Sequence, residues 1–321
     1  MDVNELRRRL LLAALATPFA ARAQGISTRP VRFILGQTPA TTPDLIARTL
    51  APRLQEKWQQ PFIVENKGGA GGSIGLDAVA KSAPDGHVLT ISVNSTVTLP
   101  IFFKIDFDIL DSFTPITMVG ENIFTLVVHP SVPARNYAEW LEWAKREGPK
   151  ANYGSPGNGT HHHLIMESVK LRTGLQLTHI PYKGSAPAFT DLMAGQIGTM
   201  FVPLGVALTL GASGKIQAIG GSARERSPLA TQIPSLHEQG LKDFDYSSWF
   251  SAWGPAGMPA DIVAKYRTAF SEVLSEPGPR ETLAKQGVSV KLSTPEELDK
   301  RNRADYADFA RLIKDAKIKG D

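Results

Sequence analysis

Strand and helix signals alternate along the chain from Val31 onward, and this alternation restricts the fold more than any other feature. Such alternation is typical of a parallel sheet covered by helices, because each return to the sheet needs a crossover. The first run of signals predicts elements over residues 31–36, 43–57, 62–66, 73–82 and 87–94. The sequence therefore predicts an α/β unit in this part of the chain.

A second run of comparable size follows the long apolar stretch from Ile116 to His129. It predicts elements over residues 137–146, 151–154, 161–173, 177–182, 186–194, 197–202, 205–212 and 215–220. An extended passage over 233–257 then precedes predicted elements over 260–275, 279–286, 288–292 and 296–317. Thr294 to Glu297 also fits a capping box at the start of the last helix.

These runs predict two domains and two crossings between them. We expect a signal peptide over residues 1–23. We expect one discontinuous domain formed by residues 24–122 and 248–321, and a second domain formed by residues 123–247. The two crossing segments would act as a hinge.

The first 23 residues have the pattern of a secretory signal. Three arginines, residues 7–9, precede an apolar run from Leu10 to Ala20, and an Ala-x-Ala site ends at Ala23. The run is shorter than the ~20 apolar residues that span a bilayer. We therefore expect export to the periplasm with cleavage near Ala23, by the general or the twin-arginine route.

Composition excludes several functional classes. Removal of the signal leaves a net charge of about +2, and no basic run or aromatic-basic stripe indicates nucleic-acid binding. The chain has no cysteine, so disulfide frameworks and thiolate chemistry are excluded. No cofactor motif is present, and we expect a monomer.

A glycine-rich segment from Val64 to Gly75 joins a predicted strand to a predicted helix. Glycine lets main-chain N–H groups approach a ligand closely, and a helix N-terminus attracts anions. The segment lacks the spacing of a phosphate-binding or dinucleotide-binding loop. It therefore predicts either an anion site that includes Gly71 and Gly72, or a tight turn without a ligand.

The same segment supports an alternative from another class. Gly71-Gly72-Ser73-Ile74-Gly75 matches the Gly-x-Ser-x-Gly elbow of serine hydrolases, with Asp85 or Asp191 as the acid and His237 as the base. The elbow should follow its strand at once, whereas Lys67 to Ala70 intervene here. We therefore favour a binding protein over an enzyme and expect no catalytic residues.

Several motifs in a fixed order resemble the Bug family, the periplasmic solute receptors of tripartite tricarboxylate transporters, also called the TctC type. They are Pro43-Asp44-Leu45-Ile46-Ala47-Arg48, Val64 to Gly72, Pro84-Asp85-Gly86, Tyr153-Gly154-Ser155-Pro156-Gly157, His163-Leu164, and Pro181-Tyr182-Lys183-Gly184 followed by Asp191-Leu192 and Gly195-Gln196. The resemblance covers essentially the whole mature chain.

The resemblance implies an α/β Venus-flytrap fold, in which each domain is a mostly parallel sheet flanked by helices. It implies that a small organic carboxylate, such as a di- or tricarboxylate, an acidic amino acid or an aromatic acid, binds in the cleft between the domains. It also implies partners, either a membrane permease or a sensor kinase. A hinge that closes on the ligand is the expected movement.

The first loop departs from the family pattern Pro-Gly-Gly-Ser/Thr-x-Asp, since this chain has Pro39-Ala40-Thr41-Thr42-Pro43-Asp44. The missing glycines add Cβ atoms near the ligand, and Pro43 removes one N–H donor. Thr41 and Thr42 could supply hydroxyl groups instead. Asp44 is a candidate ligand contact or a favourable charge at a helix start.

A second candidate loop leads into the predicted helix at His161. Ser155, Gly157, Thr160 and His163 are candidate ligand contacts there, although Thr is also an ordinary N-cap residue. Three further candidates stand at or near strand ends: Lys183, Gly184 and Phe201. Phe201 would form a wall of the pocket, although an apolar strand residue is more often part of the core.

The run His161-His162-His163 does not predict a metal site. Consecutive helical residues point about 100° apart, so three in a row do not converge on one ion. His163 and Glu167 have a chelating i, i+4 spacing, but the sequence offers no further ligand. We expect no metal.

Overall fold

The computed structural model describes residues 26–39 and 41–318, so the predicted signal peptide and Ala40 lie outside the described residues. The strands are β1 Val31–Leu35, β2 Phe62–Asn66, β3 Val88–Val93, β4 Phe113–Val128, β5 Asn152–Ser155, β6 Thr178–Pro181, β7 Thr199–Pro203, β8 Gln217–Gly221, β9 Ser247–Pro255 and β10 Val288–Val290. The helices are α1 Thr42–Trp58, α2 Ser73–Ala80, α3 Leu99–Phe102, α4 Tyr137–Glu147, α5 His161–Thr173, α6 Ser185–Met193, α7 Leu204–Ala212, α8 Ala260–Ser275, α9 Pro277–Ala284 and α10 Pro295–Asp315.

The strands form one curled sheet in the order β2-β1-β3-β9-β4-β7-β5-β6, and β8 and β10 also pair with β4. Each end of this sheet is a parallel trio, β2-β1-β3 at one end and β7-β5-β6 at the other. The strands between the trios pair in antiparallel fashion. The predicted α/β fold is confirmed.

Strand β4 connects the two parts of the sheet. Up to Ile123 it pairs with β9 and β10, and from Phe124 onward it pairs with β7 and β8. The chain returns just before β9, where the N–H of Tyr246 donates to the carbonyl of Ser222. We call the chain up to Ile123, together with the chain from β9 to α10, the first half. We call the chain between the two crossings, from Phe124 to Tyr246, the second half.

Helices cover both faces of the sheet in each half. In the first half, α1 and α8 pack on one face around buried aromatic side chains such as Phe33, Tyr266 and Phe270. In the second half, α4 and α5 pack on one face around Trp140 and Tyr153, whereas α6 and α7 pack on the other. Burial of ~25 cal/mol per Å² of apolar surface is the main stabilising term in such layers.

A smaller apolar cluster joins the two halves. Val97 from the turn after β3, Phe309 and Ile313 from α10, and Leu164 from α5 are all buried together. Helix α10 therefore packs across the junction. None of the helices within the described residues is long and apolar enough to cross a membrane.

The last helix begins as the sequence predicts. The N–H of Glu297 donates to Thr294 Oγ1 at 3.1 Å, and the N–H of Thr294 donates to Glu297 Oε2 at 2.8 Å. These two bonds satisfy backbone donors that have no partner inside the helix. The predicted capping box is confirmed.

Candidate ligand site

The glycine loop after β2 has an unusual backbone. Four consecutive residues have positive φ angles: Gly69 at 125°, Ala70 at 46°, Gly71 at 67° and Gly72 at 105°. A Cβ atom on Gly36, at the end of β1, would lie 2.4 Å from the carbonyl oxygen of Gly72. The loops after β1 and β2 therefore pack backbone against backbone, which glycine alone permits at that contact.

A polar network fixes these two loops relative to each other. Arg48 Nε lies 3.0 Å from both carboxylate oxygens of Asp44, and its Nη2 donates to Asn66 Oδ1 at 3.0 Å. Asn66 Nδ2 in turn donates to the carbonyl of Gln37 at 3.1 Å. Asp44 is buried and pairs with Arg48, and Arg48 in turn connects it through Asn66 to the backbone of the loop after β1. The sequence pointed to Asp44 but missed the roles of Arg48 and Asn66.

The two threonines of the first loop have different positions. Thr41 is the N-cap of α1, but its hydroxyl donates to the carbonyl of Thr38 at 2.8 Å and does not cap the helix. Thr42 is the first residue of α1 and is half-buried. The hydroxyl proton of Thr41 is therefore engaged within the loop.

The loop after β5 is held by similar bonds. Ser155 is fully buried, with its Oγ 2.6 Å from His179 Nε2 and 3.0 Å from the carbonyl of Gly157. Thr160 precedes α5 and donates its hydroxyl to the same carbonyl at 2.8 Å, so its side chain leaves the helix N-terminus uncapped. The first-turn N–H groups of α5 remain without intrahelical partners.

Three aromatic rings pack together next to this loop. His163 and His179 stack with centroids 3.9 Å apart, and Tyr153 stacks on His179 at 4.8 Å and also contacts His163 at 6.3 Å. The N–H of Gly159 donates to His163 Nδ1 at 3.1 Å. His163 therefore holds the backbone of the loop after β5 through Gly159. His179, which the sequence did not indicate, holds the same loop through the hydroxyl of Ser155.

Two charged side chains, Glu167 and Lys170, lie beside these rings. The Tyr153 hydroxyl donates to Glu167, and Lys170 Nζ lies 2.7 Å from Glu167 Oε1. Burial, reinforced by Lys170, lowers the pKa of His163 to about 4. Burial, reinforced by His163, lowers the pKa of His179 to about 3. Both imidazoles are therefore neutral at neutral pH.

The turn after β6 lies beside the same loop. The N–H of Gly184 donates to the carbonyl of Pro156 at 3.0 Å, and Gly184 has a φ of 107°. The Tyr182 hydroxyl donates to Asp191 Oδ2 at 2.7 Å, and burial and this bond raise the pKa of Tyr182 to about 12. Lys183 is exposed at this turn and provides a cation near the loop.

Phe201 lies in a different environment from the one expected. Its side chain has no exposed surface and packs in the core with Phe124 and Tyr153. The reason is its place on β7, where its side chain points to the face covered by α4 and α5. We therefore remove Phe201 from the candidate ligand contacts.

Two aromatic residues that were not predicted lie between the glycine loop after β2 and the glycine-containing loop after β5. We call these two loops the two glycine loops. A Cβ atom on Gly159 would lie 2.9 Å from the ring of Phe102, and one on Gly71 would lie 2.6 Å from the ring of Phe103. Helix α3, which ends at Phe102, thus lies between the loop of one half and the loop of the other. The adjacent aromatics Phe102 and Phe103, in the segment between β3 and β4, were the available sequence signal.

These loops share a location in the fold. Each follows the carboxyl end of a strand in one of the two parallel trios, which is where open α/β sheets bind ligands. Helices α2 and α5 begin at these loops, so the positive ends of their dipoles lie there. The arrangement favours an anion bound by backbone N–H groups, with most side-chain groups holding the loops.

A separate groove of about 930 Å³ lies near the hinge and includes none of the predicted site residues. Helices α5 and α10 and both crossing segments line it. Inside it, Asp305 accepts hydrogen bonds from Asn94 Nδ2 and Trp249 Nε1, both at 2.8 Å. Burial raises the pKa of Asp305 despite these bonds.

The hydrolase constellation is not assembled among the described residues. Asp85 is paired with Arg29, Asp191 accepts from Tyr182, and His237 Nδ1 accepts from the N–H of Asp243. None of these groups forms a hydrogen bond with Ser73 in the described part of the chain. In that part there is also no group of three His, Cys, Asp or Glu side chains that could hold a metal ion.

Residues 46–318 match the family model described as the tripartite tricarboxylate transporter family receptor. The chain belongs to this family. Its members are periplasmic solute-binding receptors and not enzymes. BugT of Bordetella pertussis is 32% identical over 288 residues, which cover 89% of this chain and 88% of BugT. The family and the fold expected from the motifs are therefore confirmed.

Two solved structures of Rhodopseudomonas palustris proteins extend the comparison. Rpa4515 with adipate has a TM-score of 0.80 and 27% identity, covering 91% of this chain and 99% of that one. MatC with bound malate has a TM-score of 0.75 and 25% identity, covering 89% and 99%. This chain thus shares its fold with two proteins whose structures were determined with organic acids.

Proposed function

We propose that this protein binds a small organic carboxylate between its two halves and presents it to a membrane permease of the tripartite type. The single observation that carries this proposal is the pairing of two glycine loops, one in each half, with α3 between them. Adipate and malate in the two similar structures support a carboxylate ligand.

The proposed site binds through backbone amides. In the first half the proposed donor is the N–H of Gly71, because the N–H of Gly72 donates to the carbonyl of Gly69 at 2.9 Å. In the second half the N–H of Gly157 donates to Ser155 Oγ at 3.2 Å, so the proposed donors are the first-turn N–H groups of α5 beside it. Thr42 and Lys183 complete the set through a hydroxyl and a cation. Such donors are stronger for an anion than for a neutral molecule, because charge-assisted hydrogen bonds are about twice as strong.

The domain bounds predicted from the sequence, 24–122 with 248–321 and 123–247, describe the bodies that would move. The partner change within β4 and the return before β9 support a hinge at these places. We infer that the halves rotate about these segments when the ligand binds. Export by residues 1–23, a monomeric state, and sensing through a kinase as an alternative to transport belong to the same proposal.

The experiment is a thermal unfolding screen of protein produced as the full chain and purified from a bacterial periplasm. The panel contains di- and tricarboxylates, acidic amino acids and aromatic acids, each beside its amide. A ligand at a hundredfold excess over its dissociation constant stabilises the folded state by about 2.7 kcal/mol. An acid should raise the midpoint and its amide should not. A neutral compound that acts alone would contradict the proposal.

A further inference from the structure

Two histidines that the candidate site does not use begin helix α5. Neither ring nitrogen of His161 nor either ring nitrogen of His162 has a hydrogen-bond partner among the described residues, although all four atoms are buried. The hydroxyl of Tyr246 is also buried and has no hydrogen-bond partner among the described residues. His161 is only 7% exposed.

These rings lie where the two halves meet. His162 packs edge-on against Phe124 with centroids 5.0 Å apart, and His161 packs against the same ring at 5.7 Å. His161 also contacts Tyr246 at 5.9 Å and Phe309 of α10 at 6.0 Å. Phe124 is the residue at which β4 changes partners, so the two histidines lie over the hinge strand.

The same rings lie next to the candidate loop. They follow Thr160 directly, and helical side chains lean toward the N-terminus of their helix. His161 and His162 therefore lean toward the end of α5 at which the first-turn N–H groups point to the proposed anion. The uncapped helix start and the two unpartnered imidazoles are therefore adjacent at this end of α5.

Leaving such atoms unpaired is costly. A buried polar group without a partner costs about 1–3 kcal/mol, and native proteins leave few such groups. Burial lowers the pKa of both rings to about 3, so both are neutral at neutral pH. A neutral imidazole carries one N–H donor and one acceptor nitrogen. The pair therefore presents donors and acceptors together, with no charge.

We propose that His161 and His162 recognise a hydroxyl group on the bound acid, so that the ligand is a hydroxycarboxylic acid. A hydroxyl donates to one ring nitrogen and accepts from another, whereas a carboxylate only accepts and leaves the acceptor nitrogens unpaired. This inference rests on the proposed carboxylate-binding function. It adds two specificity residues and a substrate class to that function.

The first test compares matched acids by titration calorimetry on the periplasmic protein. The pairs are malate and succinate, citrate and tricarballylate, lactate and propionate, and mandelate and phenylacetate. A site built to bind a hydroxyl rejects the analogue that lacks it. We expect at least one hydroxy acid to bind at least about tenfold more tightly than its partner.

The second test uses His161→Phe and His162→Phe, which keep an aromatic ring on Phe124 and remove the polar atoms. Each variant should reduce the affinity for the hydroxy acid toward that of its deoxy partner and leave the deoxy acid within about threefold. His129→Phe, at a histidine that bonds Ser131 in another loop, is the matched control and should keep the preference. The ring ¹⁵N shifts of both histidines in the wild-type protein should move with the hydroxy acid, whether or not the variants fold.

The outcomes separate the two proposals. A deoxy acid that binds as tightly as its hydroxy partner overturns the role of the histidines and leaves the receptor function standing. A preference that survives in both variants, or ring shifts that ignore the ligand, shows that water alone pairs these nitrogens and also overturns it. If none of these acids binds, the role of the histidines is overturned, and the proposed function itself fails only if the wider panel of the unfolding screen gives no ligand either.

Discussion

The imidazole rings of His163 and His179 stack 3.9 Å apart at an interplanar angle of 15°. The His163 ring accepts a hydrogen bond from the backbone N–H of Gly159, and the His179 ring lies within hydrogen-bond distance of the Ser155 hydroxyl. The candidate loop therefore rests on two neutral histidines. A proton added to either ring would bring a buried positive charge beside Lys170, which lies 2.7 Å from Glu167.

This arrangement predicts a loss of stability in acid. The pKa values of His163 and His179 in the folded protein, about 4 and about 3, lie below the ordinary value of 6.5. The unfolded chain therefore takes up protons first as the pH falls below 6.5. Stability is complete above that value and falls by about 1.4 kcal/mol per pH unit for each such histidine.

The measurement is urea unfolding at several pH values between 7 and 4.5. His161 and His162 contribute with the same sign, because burial lowers the pKa of each to about 3. His163→Gln should flatten the pH slope, because it removes one of the buried imidazoles whose pKa is lowered. An equal slope in the wild type and in His163→Gln would contradict this account of the stack.

A second prediction concerns Arg48 and Asp44. Arg48→Met removes the guanidinium that pairs with the buried carboxylate of Asp44 and should lower the free energy of unfolding by about 2 kcal/mol. The double variant Asp44→Asn with Arg48→Met should recover part of that loss. Arg53→Met, which removes exposed pairs with Glu56 and Glu276, should cost less than about 1 kcal/mol. Equal losses for Arg48→Met and Arg53→Met in chemical denaturation would refute the network.

A third prediction concerns the junction between the halves. Phe309 is buried against His161, Tyr246 and the apolar cluster that includes Val97 and Leu164. Phe309→Ala should destabilise the protein by about 3 kcal/mol in urea unfolding, because it leaves a cavity. Leu292→Ala, at a side chain that is 38% exposed, should have a much smaller effect. Similar effects of the two changes would mean that α10 does not support the junction.

A fourth prediction concerns the start of the mature protein. Cleavage after Ala23 gives an N-terminus at Gln24, which intact mass measurement of periplasmic protein detects directly. Replacing Arg8 and Arg9 with lysine, which preserves the charge, should block export if the twin-arginine route operates and spare it otherwise. A purified periplasmic protein that retains Met1 would refute the signal peptide.

Much of the fold could be predicted from local signals. The bounds of β2, α5 and α8 match the prediction, because their apolar periodicity and their flanking glycines or prolines are sharp. The apolar stretch before His129 was recognised, but not that β4 runs from Phe113 to Val128 and changes partners. That property depends on strands far away in sequence.

The site was predictable in its backbone and less so in its side chains. The positive φ angles at Gly71 and Gly72 follow from the glycine run. His179 was missed because its partner Ser155 is 24 residues away on another strand. Phe201 was assigned to the pocket wall and lies in the core instead, because a continuous apolar strand does not reveal which of its faces helices cover.

The most direct test of the central claim is the change in backbone amide shifts when the protein is saturated with the acid that stabilises it most. Binding between the halves predicts shifts at Gly71 and Gly72 in one loop and at Gly157 and Gly159 in the other, together with shifts in the hinge strand at Phe124. Shifts confined to one loop, or to the groove around Asp305, would contradict a ligand held between the two halves.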